Sequence, residues 1–119
     1  MKKVLLVDDE PNIIMSLEFL MKKNGYAVFI ARDGREAIGL LDRHQPDVII
    51  LDIMMPEVDG YEVCSYIQNN SELNTKIILL TAKGTEKDIN KGYDAGADHY
   101  ITKPFSTKHV VKTVQNLTA

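Results

Sequence analysis

Four short apolar runs, Val4 to Val7, Val28 to Ile30, Val48 to Leu51 and Ile77 to Leu80, constrain this chain more than anything else in it. They are continuous rather than alternating and rich in Val and Ile, which is how strands covered on both faces of a parallel sheet read. His99 to Thr102 is a weaker fifth candidate. Its Tyr100-Ile101 pair suits a strand, and its polar flanks suit a sheet edge. Between the runs the period becomes helical. Ile13, Ile14, Leu17, Leu20 and Met21 form one stripe, with Pro11 near its start and Gly25 past its end. Asp33 with Glu36, Asp59 with Glu62, and Thr85 with Asp88 each read as a helix start. Ser106 caps a last helix carrying Val110, Val111, Val114 and Leu117. Gly96 reads as a helix C-cap. Strand and helix thus alternate five times. Parallel strands need crossovers, and right-handed crossovers put helices on both faces of the sheet. The expectation is an α/β, doubly wound, five-stranded parallel sheet forming one domain over residues 1–119.

Charge and cysteine usage narrow the function. Fourteen basic against 17 acidic residues leave a net charge of −3, which argues against a broadly basic nucleic-acid surface. The one cysteine, Cys64, rules out an internal disulfide or a Cys-rich zinc site. Lying on the apolar stripe of its helix, it reads as a buried, inert thiol. His44, His99 and His109 lack metal-ligand spacing. No apolar stretch approaches the roughly 20 residues that span a bilayer. The opening MKKVLLVDDE places only four apolar residues between its lysines and its acids, too few for a signal peptide. A cytoplasmic protein, without nucleic-acid or membrane partners for this segment, is expected.

In a doubly wound sheet, ligands bind outside the carboxyl ends of the strands. After the first run come Asp8, Asp9 and Glu10; the third ends at Asp52, the fourth at Thr81, and Lys103-Pro104 follow the fifth. Carboxylates, a hydroxyl and an ammonium therefore converge on one rim from distant segments. Clustered carboxylates repel unless a cation or proton is present. Hard oxygen donors without nearby His or Cys point to Mg²⁺. A carboxylate beside Mg²⁺ and a lysine can attack phosphorus, with Lys103 and the Thr81 hydroxyl suited to the charge that develops. Each residue also has a plainer reading: Asp8 and Asp9 as helix N-caps, Asp52 as a turn residue, Lys103 as a surface charge, Pro104 as a strand terminator, Tyr100 as core. Met54 and Met55 read as gap-fillers beside the rim.

The segments VDDE, LDIMMPEVDG, LLTA and ITKPF, in this order and spacing, resemble the receiver domain of two-component response regulators, and the resemblance covers essentially the whole chain. It implies a flavodoxin-like (βα)₅ fold with strand order 2-1-3-4-5. It also implies that Asp52 accepts a phosphoryl group from a histidine kinase or a histidine phosphotransfer protein. By the same resemblance, Asp9, Asp52 and the backbone carbonyl of Met54 hold Mg²⁺ directly, and Asp8 acts through water. Thr81 and Lys103 hold phosphoryl oxygens, and Tyr100 turns inward with Thr81 on activation. Lys103-Pro104 is the peptide the family holds cis. The switched surface is helix four, strand five and helix five, which faces a downstream output domain or effector protein. A charge network on that surface, used by winged-helix regulators to dimerise, has Asp98 and Lys87 here but departs at Ile89, His99, His109 and Thr113. The departures fit a stand-alone receiver or another kind of output.

Two rivals use the same layout. A haloacid-dehalogenase-like Mg²⁺ phosphohydrolase would place Asp-x-Asp after the first strand, where this chain has Asp8-Asp9-Glu10, and would add a cap. A flavodoxin-like FMN module would need a hydroxyl- and glycine-rich phosphate loop there, and the acids repel such a phosphate.

Overall fold

The computed structural model describes residues 1–55 and 58–119. Pro56 and Glu57, within the LDIMMPEVDG motif, lie outside the described residues. Strands and helices alternate as β1 (Lys3–Val7), α1 (Pro11–Lys23), β2 (Ala27–Ala31), α2 (Gly34–His44), β3 (Val48–Leu51), α3 (Gly60–Gln68), β4 (Lys76–Thr81), α4 (Glu86–Asp94), β5 (His99–Thr102) and α5 (Thr107–Thr118). The five strands form one parallel sheet in the order β2-β1-β3-β4-β5. This is the doubly wound parallel sheet expected from the apolar runs, in the flavodoxin-like order that the resemblance implies.

Alternation along each strand divides the core in two. Leu5, Val7, Ile49, Leu51, Ile77 and Leu79 face α2 and α3, meeting Ala37, Leu41, Val63, Cys64 and Ile67, with Ile89 of α4 packed alongside. Val4, Leu6, Val48, Ile50, Ile78 and Leu80 face α1 and α5, meeting Ile14, Leu17, Met21, Val110 and Val114. Cys64 is fully buried, and burial pushes its thiol up to about 12, so it is inert as expected. The second helix starts with Asp33 accepting from the Glu36 N–H at 2.8 Å, and the third with Asp59 accepting from Glu62 at 3.0 Å. Thr85 accepts from Asp88 at 3.1 Å, and Ser106 accepts from His109 at 3.3 Å. Past two helix ends, Gly25 and Gly96 have φ of 88° and 107°, a region where a Cβ is costly.

Register aligns the strand ends. Val7 sits beside Leu51, Leu51 beside Leu79, and Thr81 beside Thr102, so the residues that follow emerge along one edge. A close approach there that bears directly on Asp52 is at Gly60, the first residue of α3. A Cβ on Gly60 would lie 2.6 Å from Ile53 Cα and 2.9 Å from the Asp52 carbonyl oxygen. Both neighbours are backbone, and neither can retreat without moving Asp52. Gly60→Ala is therefore expected to destabilise the fold by about 1–3 kcal/mol, the usual range for overpacking. Urea unfolding checks this, and an unchanged midpoint would show that the loop yields freely.

Candidate functional site: an acid cluster around Lys103

The structure brings Asp8, Glu10, Asp52 and Lys103 together. The Lys103 ammonium donates to Asp8 Oδ2 at 2.9 Å, to Glu10 Oε1 at 3.0 Å and to Asp52 Oδ2 at 3.1 Å. Asp8 and Asp52 are only 3% and 5% exposed, whereas Glu10 lies at the surface. Local structure fixes each group. The Asp52 N–H donates to the Val7 carbonyl at 3.0 Å, tying the end of β3 to the end of β1. Asp52 Oδ1 accepts from the Met54 N–H at 3.0 Å, which folds the loop beyond β3 around the carboxylate. Asp8 Oδ1 accepts from the Glu10 N–H at 2.9 Å, which turns the chain ahead of α1 without capping it, while its other oxygen holds Lys103. Glu10 occupies the N-cap position of α1 but makes no side-chain cap; its carboxylate reaches Lys103 instead.

The electrostatics follow from burial. Burial pushes the Asp8 carboxyl above its ordinary value, and this outweighs the Glu10 N–H and Lys103, which pull it down. Burial also disfavours the Lys103 ammonium, but its hydrogen bonds to Asp8, Glu10 and Asp52 more than offset that and hold its pKa above the usual lysine value. Three carboxylates against one ammonium leave about two formal negative charges on the rim. The carboxylate oxygens of Asp8, Glu10 and Asp52 lie within 4.8 Å of one another, and the set holds no nitrogen or sulfur donor. That chemistry fits a hard divalent cation such as Mg²⁺.

Other expected site residues are placed differently. Asp9 is exposed and lines a cleft of 260 Å³ together with Asp8, Pro11, Met15 and Arg32, without contacting Lys103. Glu10, which sequence reasoning gave no role, joins the cluster through Lys103. Met55 is buried as a gap-filler, but Met54 is 53% exposed. Thr81 is fully buried at the end of β4, and its hydroxyl accepts from the Lys83 N–H at 3.4 Å. Its carbonyl accepts from the Lys103 N–H at 2.9 Å. The Lys103-Pro104 peptide is cis. Tyr100 is 9% exposed, and its hydroxyl donates to the Lys83 carbonyl at 2.6 Å. At the opposite, amino-terminal end of β4 and β5, Asp98 Oδ2 accepts from the Ile77 N–H at 2.8 Å and so is engaged within its own sheet.

A profile of the response regulator receiver domain matches residues 4–115. The chain belongs to that family. Among solved structures, chemotaxis protein CheY4 of Vibrio cholerae is 34% identical with a TM-score of 0.91, the match covering 98% of each chain. The receiver domain of Francisella response regulator 1452 is 33% identical with a TM-score of 0.92, over 99% of this chain and 97% of that one. The signal receiver domain of a histidine kinase from Syntrophus aciditrophicus is 34% identical with a TM-score of 0.91, over 99% of this chain and 90% of that one. As a receiver, this chain is a signalling domain of a two-component system.

The strained charge balance of the receiver yields a sign-defined test. Because Asp8 holds its proton more tightly folded than unfolded, ionising it costs stability. The cost is absent below the unfolded value, near pH ~3.9, and grows as pH rises through the folded pKa. Asp8→Asn should therefore be more stable than wild type at pH 7 without metal, with the gap closing toward pH 4. Mg²⁺ at ten-fold excess over its Kd should add about 1.4 kcal/mol to wild type and much less to this variant. Urea unfolding at both pH values, with and without Mg²⁺, measures both effects. A variant less stable than wild type at pH 7 would contradict the account.

Proposed function

We propose that this receiver is a phosphoacceptor in a two-component phosphorelay, and that Asp52 takes the phosphoryl group. The observation that carries the reading is the Asp52 carboxylate itself: nearly buried at the end of the central strand, and fixed by Lys103 on one oxygen and by the Met54 N–H on the other. A carboxylate oxygen so fixed keeps a further lone pair for phosphorus. In the transfer, an Asp52 oxygen bonds to phosphorus as the phosphorus–nitrogen bond of a phosphohistidine breaks. The leaving imidazole keeps the electron pair and gains a proton. The donor is a histidine kinase or a histidine phosphotransfer protein.

Mg²⁺, held by Asp52, Asp9 and the Met54 carbonyl with Asp8 through water, would neutralise charge on the phosphoryl oxygens. Glu10 stands close enough to join that set. Lys103 would exchange its bond to Asp52 for one to a phosphoryl oxygen, and the Thr81 hydroxyl would take another. The domain thus assists its own phosphorylation and dephosphorylation rather than turning over a separate substrate. Because the acyl phosphate consumes the charge of the Asp52 carboxylate, phosphorylation adds a net of about −0.5 to −1 to a rim that already carries an excess of about two negative charges. Drawing Thr81 toward the phosphate would release the Lys83 N–H and alter the segment that anchors Tyr100. The face of α4, β5 and α5 then changes for an output domain or effector protein. Among the described residues no helix is long and apolar enough to cross a membrane, and a cytoplasmic location fits the kinase partner.

Incubation with Mg²⁺ and acetyl phosphate should add one phosphoryl group per chain, and Asp52→Asn should add none. Intact mass spectrometry reads both. Full labelling of the variant would remove Asp52 from the role, while rapid multiple turnover by wild type would favour the phosphohydrolase.

A further inference from the structure

Gly92 is the buried residue of α4, so beside the half-buried Ile89 this helix meets the sheet through a position without a side chain. A Cβ built on Gly92 would lie 2.7 Å from both Cδ2 and Cε2 of the Tyr100 ring and 3.0 Å from Leu79 Cδ1. The flanking residues are occupied elsewhere. Lys91 sits 4.4 Å over the Tyr61 ring, and the Tyr93 ring lies 6.5 Å from that of Tyr100. Gly92 has an ordinary helical backbone, so no turn or positive φ calls for glycine there. Inside a helix, glycine is a poor choice on propensity alone. What it provides is room for the ring, whose hydroxyl end is then held by the Lys83 carbonyl at 2.6 Å.

We propose that Gly92 is a positioning residue for Tyr100: its missing Cβ forms the slot in which the ring lies, and the volume at position 92 sets how much of the time the ring occupies it. The steric pairing stands by itself. Its consequence, that residue 92 sets the balance of the α4–β5–α5 face, rests on the switch described under the proposed function. Gly92 touches no group of the acid cluster, so it would act on the ring and α4 and not on phosphoryl transfer.

A double-mutant cycle tests this, because the sign is unusual. Gly→Ala inside a helix ordinarily raises the folding equilibrium constant by about four-fold. In this chain Gly92→Ala should lower it, and the Tyr100 ring resonances should move toward those of an exposed tyrosine. In a Tyr100→Ala background, where the obstacle is gone, Gly92→Ala should raise it. The two effects should differ by at least about ten-fold. Acetyl phosphate should label Asp52 in Gly92→Ala at within about two-fold of the wild-type rate, while the NMR response of α4 to beryllofluoride is reduced. Equal stabilisation by alanine in both backgrounds would overturn the inference. A large coupling, together with a wild-type Tyr100 that ignores beryllofluoride, would instead sink the switch reading and leave the steric pair.

Discussion

One ammonium among three carboxylates organises this molecule's chemistry. Lys103 holds Asp8, Glu10 and Asp52 at 2.9 to 3.1 Å. Without it, two buried carboxylates from adjacent strand ends would repel each other in a medium that screens charge poorly. With it, the cluster holds together yet remains negative. Such a rim is stable enough to persist and unbalanced enough to respond. Under the proposed function, a divalent cation would offset the excess, and a phosphoryl group on Asp52 would add negative charge back at the same place.

The surrounding fold gives up local stability to keep that rim available. The first helix has Glu10 at its N-cap with no side-chain cap, because the Glu10 carboxylate serves Lys103. A missing cap costs about 1 kcal/mol. The other four helices, which supply no carboxylate to Lys103, all have the cap. Gly60 likewise gives up helix propensity so that α3 can begin against the backbone of Asp52 and Ile53. Both of these departures lie beside Asp52 or its partner Lys103.

What could be read from the sequence was what local rules decide. Buried parallel strands announce themselves as Val- and Ile-rich runs, and helix starts as a hydroxyl or acid three residues before an acid. The rim was legible too, because strand order and strand ends determine it. Which of three consecutive acids turns into the cluster was not. Asp8, Asp9 and Glu10 stand in a bend between β1 and α1, where no local period decides which carboxylate reaches Lys103; those of Asp8 and Glu10 do. Met54 is exposed and Met55 buried in the loop beyond β3, which no sequence period marks either. Asp98 looked like a surface charge free for a partner, and only the fold shows it accepting from Ile77. Close approaches such as Gly60 on Asp52 or Gly92 on Tyr100 leave no local mark, since they depend on how a helix packs against its neighbouring strand rather than on any sequence period.

The same bonds trace how a charge at Asp52 would be felt beyond the rim. Lys103 holds Asp52 by its side chain and the Thr81 carbonyl by its backbone N–H. The Thr81 hydroxyl accepts from the Lys83 N–H, and the Lys83 carbonyl accepts from Tyr100, whose ring rests on Gly92 of α4. The links are unequal. Tyr100 to Lys83 is short at 2.6 Å, whereas Lys83 to Thr81 is long at 3.4 Å and so among the weaker bonds of its kind. A phosphoryl oxygen competing for the Thr81 hydroxyl would meet the chain at its weakest point. A charged acceptor forms the stronger hydrogen bond, so that competition favours the phosphate. Lys83 would then be released on its N–H side while still bound to Tyr100 through its carbonyl. The loop, the ring and α4 would respond as one unit, because Gly92 leaves no side chain between helix and ring to absorb the motion.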